Sequence, residues 1–121
     1  MYSKAGYKAP GAERLYTVDE GTFDKLGRAE LAHIEDAFGT VDPDEVEASS
    51  SDGVLTLALR DGVRIVINTH RAARQIWMAA VASAWKFDPT PDGRWRTGRG
   101  DELRATVCKV IKERVGIDVA L

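Results

Sequence analysis

From Phe23 onward the apolar residues return at helical spacing, with Phe23, Gly27, Leu31, Ile34 and Phe38 on one stripe and Leu26 and Ala37 beside it. The stripe predicts an amphipathic helix that Asp19 or Thr22 can cap and that Gly39 stops. In projection Asp24 and Glu35 fall on one flank and Asp36 on the back, so their carboxylates are expected to face water. Glu30 is the misfit. It projects close to the apolar stripe, and a boundary position with its side chain bent outward is the expectation.

After Pro43 the period changes to two. Glu45–Ser49 leads to Asp52-Gly53, Val54–Leu59 to Asp61-Gly62, and Val63–Asn68 follows. Asp-Gly between alternating apolar residues predicts hairpins, because both central turn positions favour positive φ. Leu55, Leu57 and Leu59 share one side, as do Val63, Ile65 and Ile67, and these sides are the predicted core. Arg74–Ala80, Trp85–Asp88 and Arg94–Thr97 read as further strands, the last two joined through Pro89, Pro91 and Gly93. Gly98–Gly100 breaks the chain, and Asp101 stands where a cap belongs. Leu103, Val107, Val110 and Ile111 then form a second helical stripe to about Val115. Helix, about six antiparallel strands and helix predict an α+β fold, a two-layer sandwich with both helices on one face of the sheet. The other face, with Arg64, Asn68, Gln75 and Trp77, is left to solvent.

Length and composition keep this picture to one domain: 121 residues, 44% hydrophobic and 30% charged. Residues 19–121 are expected to form it, behind a flexible extension over 1–18 that lacks the apolar core of a secretory signal. The longest apolar run, Ile76–Ala82, is far shorter than the roughly 20 residues that cross a bilayer, so no membrane association is expected. The single cysteine, Cys108, cannot make an internal disulfide, which suits a reducing compartment; a partly buried inert thiol is favoured over a reactive one.

Charge is divided sharply along the chain. Residues 19–47 hold ten acids against Lys25 and Arg28, whereas 48–121 hold twelve bases and eight acids. Glu35, Asp36, Asp42, Asp44, Glu45 and Glu47 form a ridge from the end of the helix into the first strand. Carboxylate oxygens are hard ligands, so the ridge is either a solvated face or a weak, multi-site cation binder. No HxxxH, CxxC or EF-hand spacing encodes a closed metal site. Catalytic inventory is thin, with His33 and His70 the only neutral-pH bases and no nucleophile motif or phosphate-cradling loop. His33 reads as a solvated surface residue, and His70, in a strand-end loop, as either a binding residue or a spectator. Trp77 shares the outer sheet face with Asn68 and Gln75, either as a docking residue or packed under a loop. Arg60, Arg64, Arg71, Arg74, Arg94, Arg96 and Arg99 add a basic fringe, but the acid ridge and a pI near 5.7 count against nucleic acid.

The run Asp52-Gly-Val-Leu-Thr-Leu-Ala-Leu-Arg-Asp-Gly-Val-Arg-Ile-Val-Ile-Asn68, followed by Arg74-Gln-Ile-Trp-Met-Ala79, resembles the frataxin family of the bacterial CyaY type. Trp85-Lys-Phe-Asp88, Gly93-Arg-Trp95 and Gly100-Asp-Glu-Leu103 extend the likeness from Phe23 to about Gly116. The resemblance implies an accessory protein of iron-sulfur cluster assembly that binds ferrous and ferric iron weakly and docks on the cysteine desulfurase and the scaffold protein. A slow ferroxidase, or an iron-storage or iron-chaperone protein, is the alternative. By position, Glu35, Asp36, Asp44, Glu45 and Glu47 correspond to the family's acidic ridge, and Asn68, Gln75 and Trp77 to its sheet surface. His70 stands where relatives usually carry Gln, Ala72 replaces a customary Pro, and Ala82-Ser-Ala84 replaces a Gly pair. A monomer is expected, with iron-dependent oligomers as the alternative. The expected location is the cytoplasm, with the mitochondrial matrix as the alternative.

Overall fold

The computed structural model describes residues 16–121. The extension expected over residues 1–18 therefore lies almost wholly outside the described residues; of its last members, Val18 packs against the core. The first helix, α1, runs Glu20–Ala37 and passes through a single 3₁₀ turn, Phe38–Thr40, at Gly39. Asp19 is its cap: the carboxylate accepts from the Thr22 amide at 2.7 Å, which holds the Asp19 carboxyl below its ordinary range.

Six strands follow, β1 Val46–Ser51, β2 Val54–Leu59, β3 Arg64–His70, β4 Gln75–Ala80, β5 Ser83–Pro89 and β6 Trp95–Arg96, in spatial order β1-β2-β3-β4-β5-β6. Every neighbouring pair is antiparallel. A second helix, α2 Leu103–Val115, closes the chain's regular structure. Its cap is Glu102 rather than Asp101, with the Glu102 carboxylate accepting from the amides of Arg104 and Ala105 at 3.1 and 3.0 Å. β3 extends to His70, two residues past the expected end, while β6 keeps only two of the four expected residues. The Pro-rich turn before it limits the backbone donors available for pairing.

The alternation works as predicted. Leu55, Leu57, Leu59, Ile65, Ile67, Ile76 and Met78 are buried on the face that meets Phe23, Leu31 and Ile34 of α1 and Leu103, Val107 and Ile111 of α2. Burying such a side chain is worth about 1.5–3 kcal/mol, so this layer carries most of the fold's stability. Phe23 meets the edge of Trp95, with ring centroids 5.8 Å apart at 78°. Gly27 sets how near α1 lies to the sheet, since a methyl group there would fall 2.9 Å from Cγ2 of Thr69. No helix among the described residues is long and apolar enough to cross a membrane.

Glu30 overturns its expectation. It does not bend outward; it is 5% exposed and meets Arg104 of α2 in a two-pronged pair, Nε to Oε2 and Nη2 to Oε1, both 2.9 Å. The guanidinium fork matches both carboxylate oxygens, which is what permits a charge so close to the apolar stripe. The pair ties the two helices together beneath the sheet.

Candidate functional site

The ridge residues arrive from three local structures. Glu35 and Asp36 are in the last turn of α1, Asp42 and Asp44 are in the turn that follows the 3₁₀ segment, and Glu45 and Glu47 enter β1. Asp42 shapes its turn: its carboxylate accepts from the Asp44 amide at 2.9 Å, and its carbonyl from the amides of Glu45 and Val46 at 2.8 and 3.1 Å. Glu35 is half-buried and accepts from the Ser50 hydroxyl at 2.8 Å, joining α1 to β1 instead of standing free in water. Asp24, the other flank carboxylate expected in water, pairs with Arg71 at 3.1 Å beyond the end of β3. Glu45 is neutralised by Arg60, whose guanidinium donates to it directly.

Asp36, Asp44 and Glu47 are exposed, and among the described residues none of their carboxylates has an ion-pair partner. Among the described residues no three His, Cys, Asp or Glu side chains converge into a metal-ligand group. Physically the ridge is a row of separate carboxylates on one edge of the molecule. It can concentrate cations by long-range attraction, with water completing their shells, but it is not a cage.

The outer sheet face is organised around Trp77. The β3–β4 register sets Asn68 opposite Trp77 and His70 opposite Gln75, and the β4–β5 register sets Lys86 opposite Trp77. Trp77 is half-buried, and its indole N–H donates to Oε1 of Gln75 at 2.9 Å. Gln75 in turn donates from Nε2 to Oδ1 of Asp88 at 3.0 Å, so one chain of hydrogen bonds fixes the ring. The His70 imidazole stacks on the indole, centroids 3.8 Å apart at 10°, and the Lys86 ammonium lies 4.7 Å from the ring centroid. Nδ1 of His70 is buried without a partner among the described residues. The four expected sheet residues, Asn68, His70, Gln75 and Trp77, are thus brought together, each of them half-buried.

Lys86 and Asp88 also belong to this group, although the sequence pattern marks them only as part of the Trp85–Asp88 strand. Their signal was strand parity: once β4 and β5 pair, alternate β5 residues share the face of Trp77. His33 is exposed, with Nε2 2.6 Å from the main-chain oxygen of Leu121. The Cys108 thiol is half-buried, and burial pushes its pKa up, which leaves it a poor nucleophile. Of the basic fringe, Arg60, Arg71, Arg74 and Arg96 are engaged by carboxylates of this chain.

Known proteins bear on these surfaces. A family model described as a frataxin-like domain matches residues 16–117. The iron-sulfur cluster assembly protein CyaY of Ralstonia pickettii is 32% identical over 108 residues, which covers 86% of this chain and 95% of that protein. Its counterpart in Ralstonia nicotianae is 36% identical over 98 residues, covering 80% and 84% respectively. Among solved structures, the frataxin from Psychromonas ingrahamii superimposes with a TM-score of 0.77 over 84% of this chain and 96% of that one; at 21% identity this speaks to the fold alone.

Proposed function

The chain belongs to the frataxin-like family, and from this premise we propose that it is an accessory protein of iron-sulfur cluster assembly which captures iron weakly on its acidic ridge and docks on the assembly machinery. It is not a typical enzyme. The observation that carries the reading is the division among the ridge carboxylates. Asp36, Asp44 and Glu47 remain exposed on one edge, while their neighbours are bound to Ser50, Arg60 and the turn backbone. Ferrous and ferric iron are the cargo: hard oxygen donors spaced along an edge suit loose capture and release. The same negative edge suits the basic surface of a cysteine desulfurase, and the held Trp77 face suits the scaffold protein, because a rigid aromatic loses little freedom on docking. The proposed state is a monomer in the cytoplasm, without nucleic-acid or membrane partners.

An anaerobic NMR titration with ferrous iron, paired with pull-down of desulfurase and scaffold, tests this. Iron is expected to broaden Asp36, Asp44 and Glu47 first, reversal of those charges to lose the desulfurase, and Trp77→Ala to lose the scaffold. Broadening centred elsewhere, or pull-downs indifferent to both variants, overturns it. Saturable oxygen uptake above the buffer rate would establish a ferroxidase instead.

A further inference from the structure

The sheet stops early along β5. β6 pairs only with Asp88 and Pro89, so residues 83–87 form an edge. The β4–β5 hairpin closes on the Ala80–Ser83 pair and continues through Met78–Trp85 and Ile76–Phe87. In a two-residue hairpin the pair flanking the turn exchanges both main-chain hydrogen bonds, and alternation gives Trp85 and Phe87 theirs with β4 as well. Ala84 and Lys86 therefore turn their amide and carbonyl groups away from the sheet. Among the described residues no main-chain group meets them from the far side.

Directly beside this edge, between the hairpin and α2, lies a groove of about 430 Å³. Ala80, Trp85 and Val110 supply its apolar surface. Val81 stands at its mouth, 66% exposed, with φ at 57°. A β-branched residue in the left-handed region is strained, and glycine would sit there at less cost. The rim carries both signs of charge, from Lys109, Asp101 and Glu113, so it selects no sign. On the opposite face the exposed Lys86, its ammonium resting over the Trp77 ring, adds a positive charge.

We propose that residues 83–87 of β5 accept an extended segment of another protein as an added strand, its apolar side chains entering the groove against Trp85 and a carboxylate facing Lys86. Strand addition needs an open main-chain edge and side-chain pockets in step with it, and both are present here. A second copy of this edge is the poorer occupant, since self-pairing gathers two Lys86 ammonium groups on one patch. The inference rests on the fold alone, so it stands or falls apart from the iron reading.

The probe is a blocked peptide of alternating valine and glutamate, added to the whole chain and followed by amide exchange. Exchange at Ala84 and Lys86 is expected to slow. Ala84→Pro removes an N–H that β4 does not use and is expected to weaken binding at least about tenfold. The same loss is expected on the unaltered chain when alternate amides of the peptide are N-methylated. Lys86→Glu is expected to reverse the preference in favour of a valine–lysine peptide. Full binding by Ala84→Pro or by the methylated peptide overturns the proposal, as does protection at Ser49–Ser51 on the other edge. Protection that rises with protein concentration in the absence of peptide assigns the edge to a second copy and overturns it too.

Discussion

Glu30 and Glu47 carry the same carboxylate into opposite circumstances. Glu30 is enclosed between the helices and held at two points by Arg104, whereas Glu47 stands on the outer part of β1 in water. Both belong to the acid-rich stretch that the sequence marks as one anionic block. The contrast shows that a charge count states how many anions a segment carries but not how many are available. One acid secures the helix layer, others shape turns, and the remainder is what a cation or a basic protein can use.

The largest effect is expected where a carboxylate is enclosed. Glu30→Ala leaves the Arg104 guanidinium, only 20% exposed, without its partner, and a broken buried pair of this kind costs about 3–5 kcal/mol. Denaturant unfolding measures it. Replacing both residues by apolar ones of similar volume is expected to restore most of that stability, because no charge is then left stranded. A loss below about 1 kcal/mol for Glu30→Ala would break the contrast between enclosed and free acids.

How far the sequence disclosed this depends on the distance over which each feature is decided. The hairpins were legible because Asp-Gly and strict alternation are local, and the registers of β2 and β3 followed from them. The Glu30–Arg104 pair joins residues 74 apart in the chain, so periodicity could mark Glu30 as anomalous but could not name its partner. Glu35 and Asp24 look solvated in projection because the Ser50 and Arg71 they meet arrive from the sheet edge and from a turn after β3. The cap of α2 moved by one position because Asp101 and Glu102 are adjacent acids, and only the backbone turn decides between them. The Trp77 group was half legible: parity assembled Asn68, Gln75 and Trp77, while the Gln75–Asp88 link needed the β5 register.

An intermediate effect is expected at Asp92, which lies outside the ridge and is exposed but fully engaged. The Thr90 hydroxyl, then Arg96 and the Arg94 amide, lower its pKa from the ordinary 3.8 to about 2. A folded pKa below the unfolded one means that the stabilisation is complete above pH 3.8 and disappears as pH falls through about 2. The stability gap between the native chain and Asp92→Asn is therefore expected to be constant near neutrality and to close across that acid window. Carboxyl-detected NMR should place the Asp92 midpoint near 2, and a midpoint at 3.8 would put Asp92 among the free acids.

The smallest effect on stability is expected on the ridge itself, where the comparison is most exposed to failure. Asp36→Asn with Glu47→Gln removes two solvated carboxylates that brace nothing among the described residues, so stability should stay within about 0.5 kcal/mol of the native chain. Removing mutual repulsion among neighbouring acids even favours a slight gain. Ferrous iron uptake is expected to fall in the same variant, and more steeply at low salt, where attraction between exposed charges is least screened. A parallel Glu45→Gln variant separates availability from mere charge, because Glu45 already belongs to Arg60 and its loss should change iron uptake less than that of Glu47. Equal losses for Glu45 and Glu47 would mean that iron reads the total charge of the segment, and the division drawn from the hydrogen bonds would then have no bearing on binding.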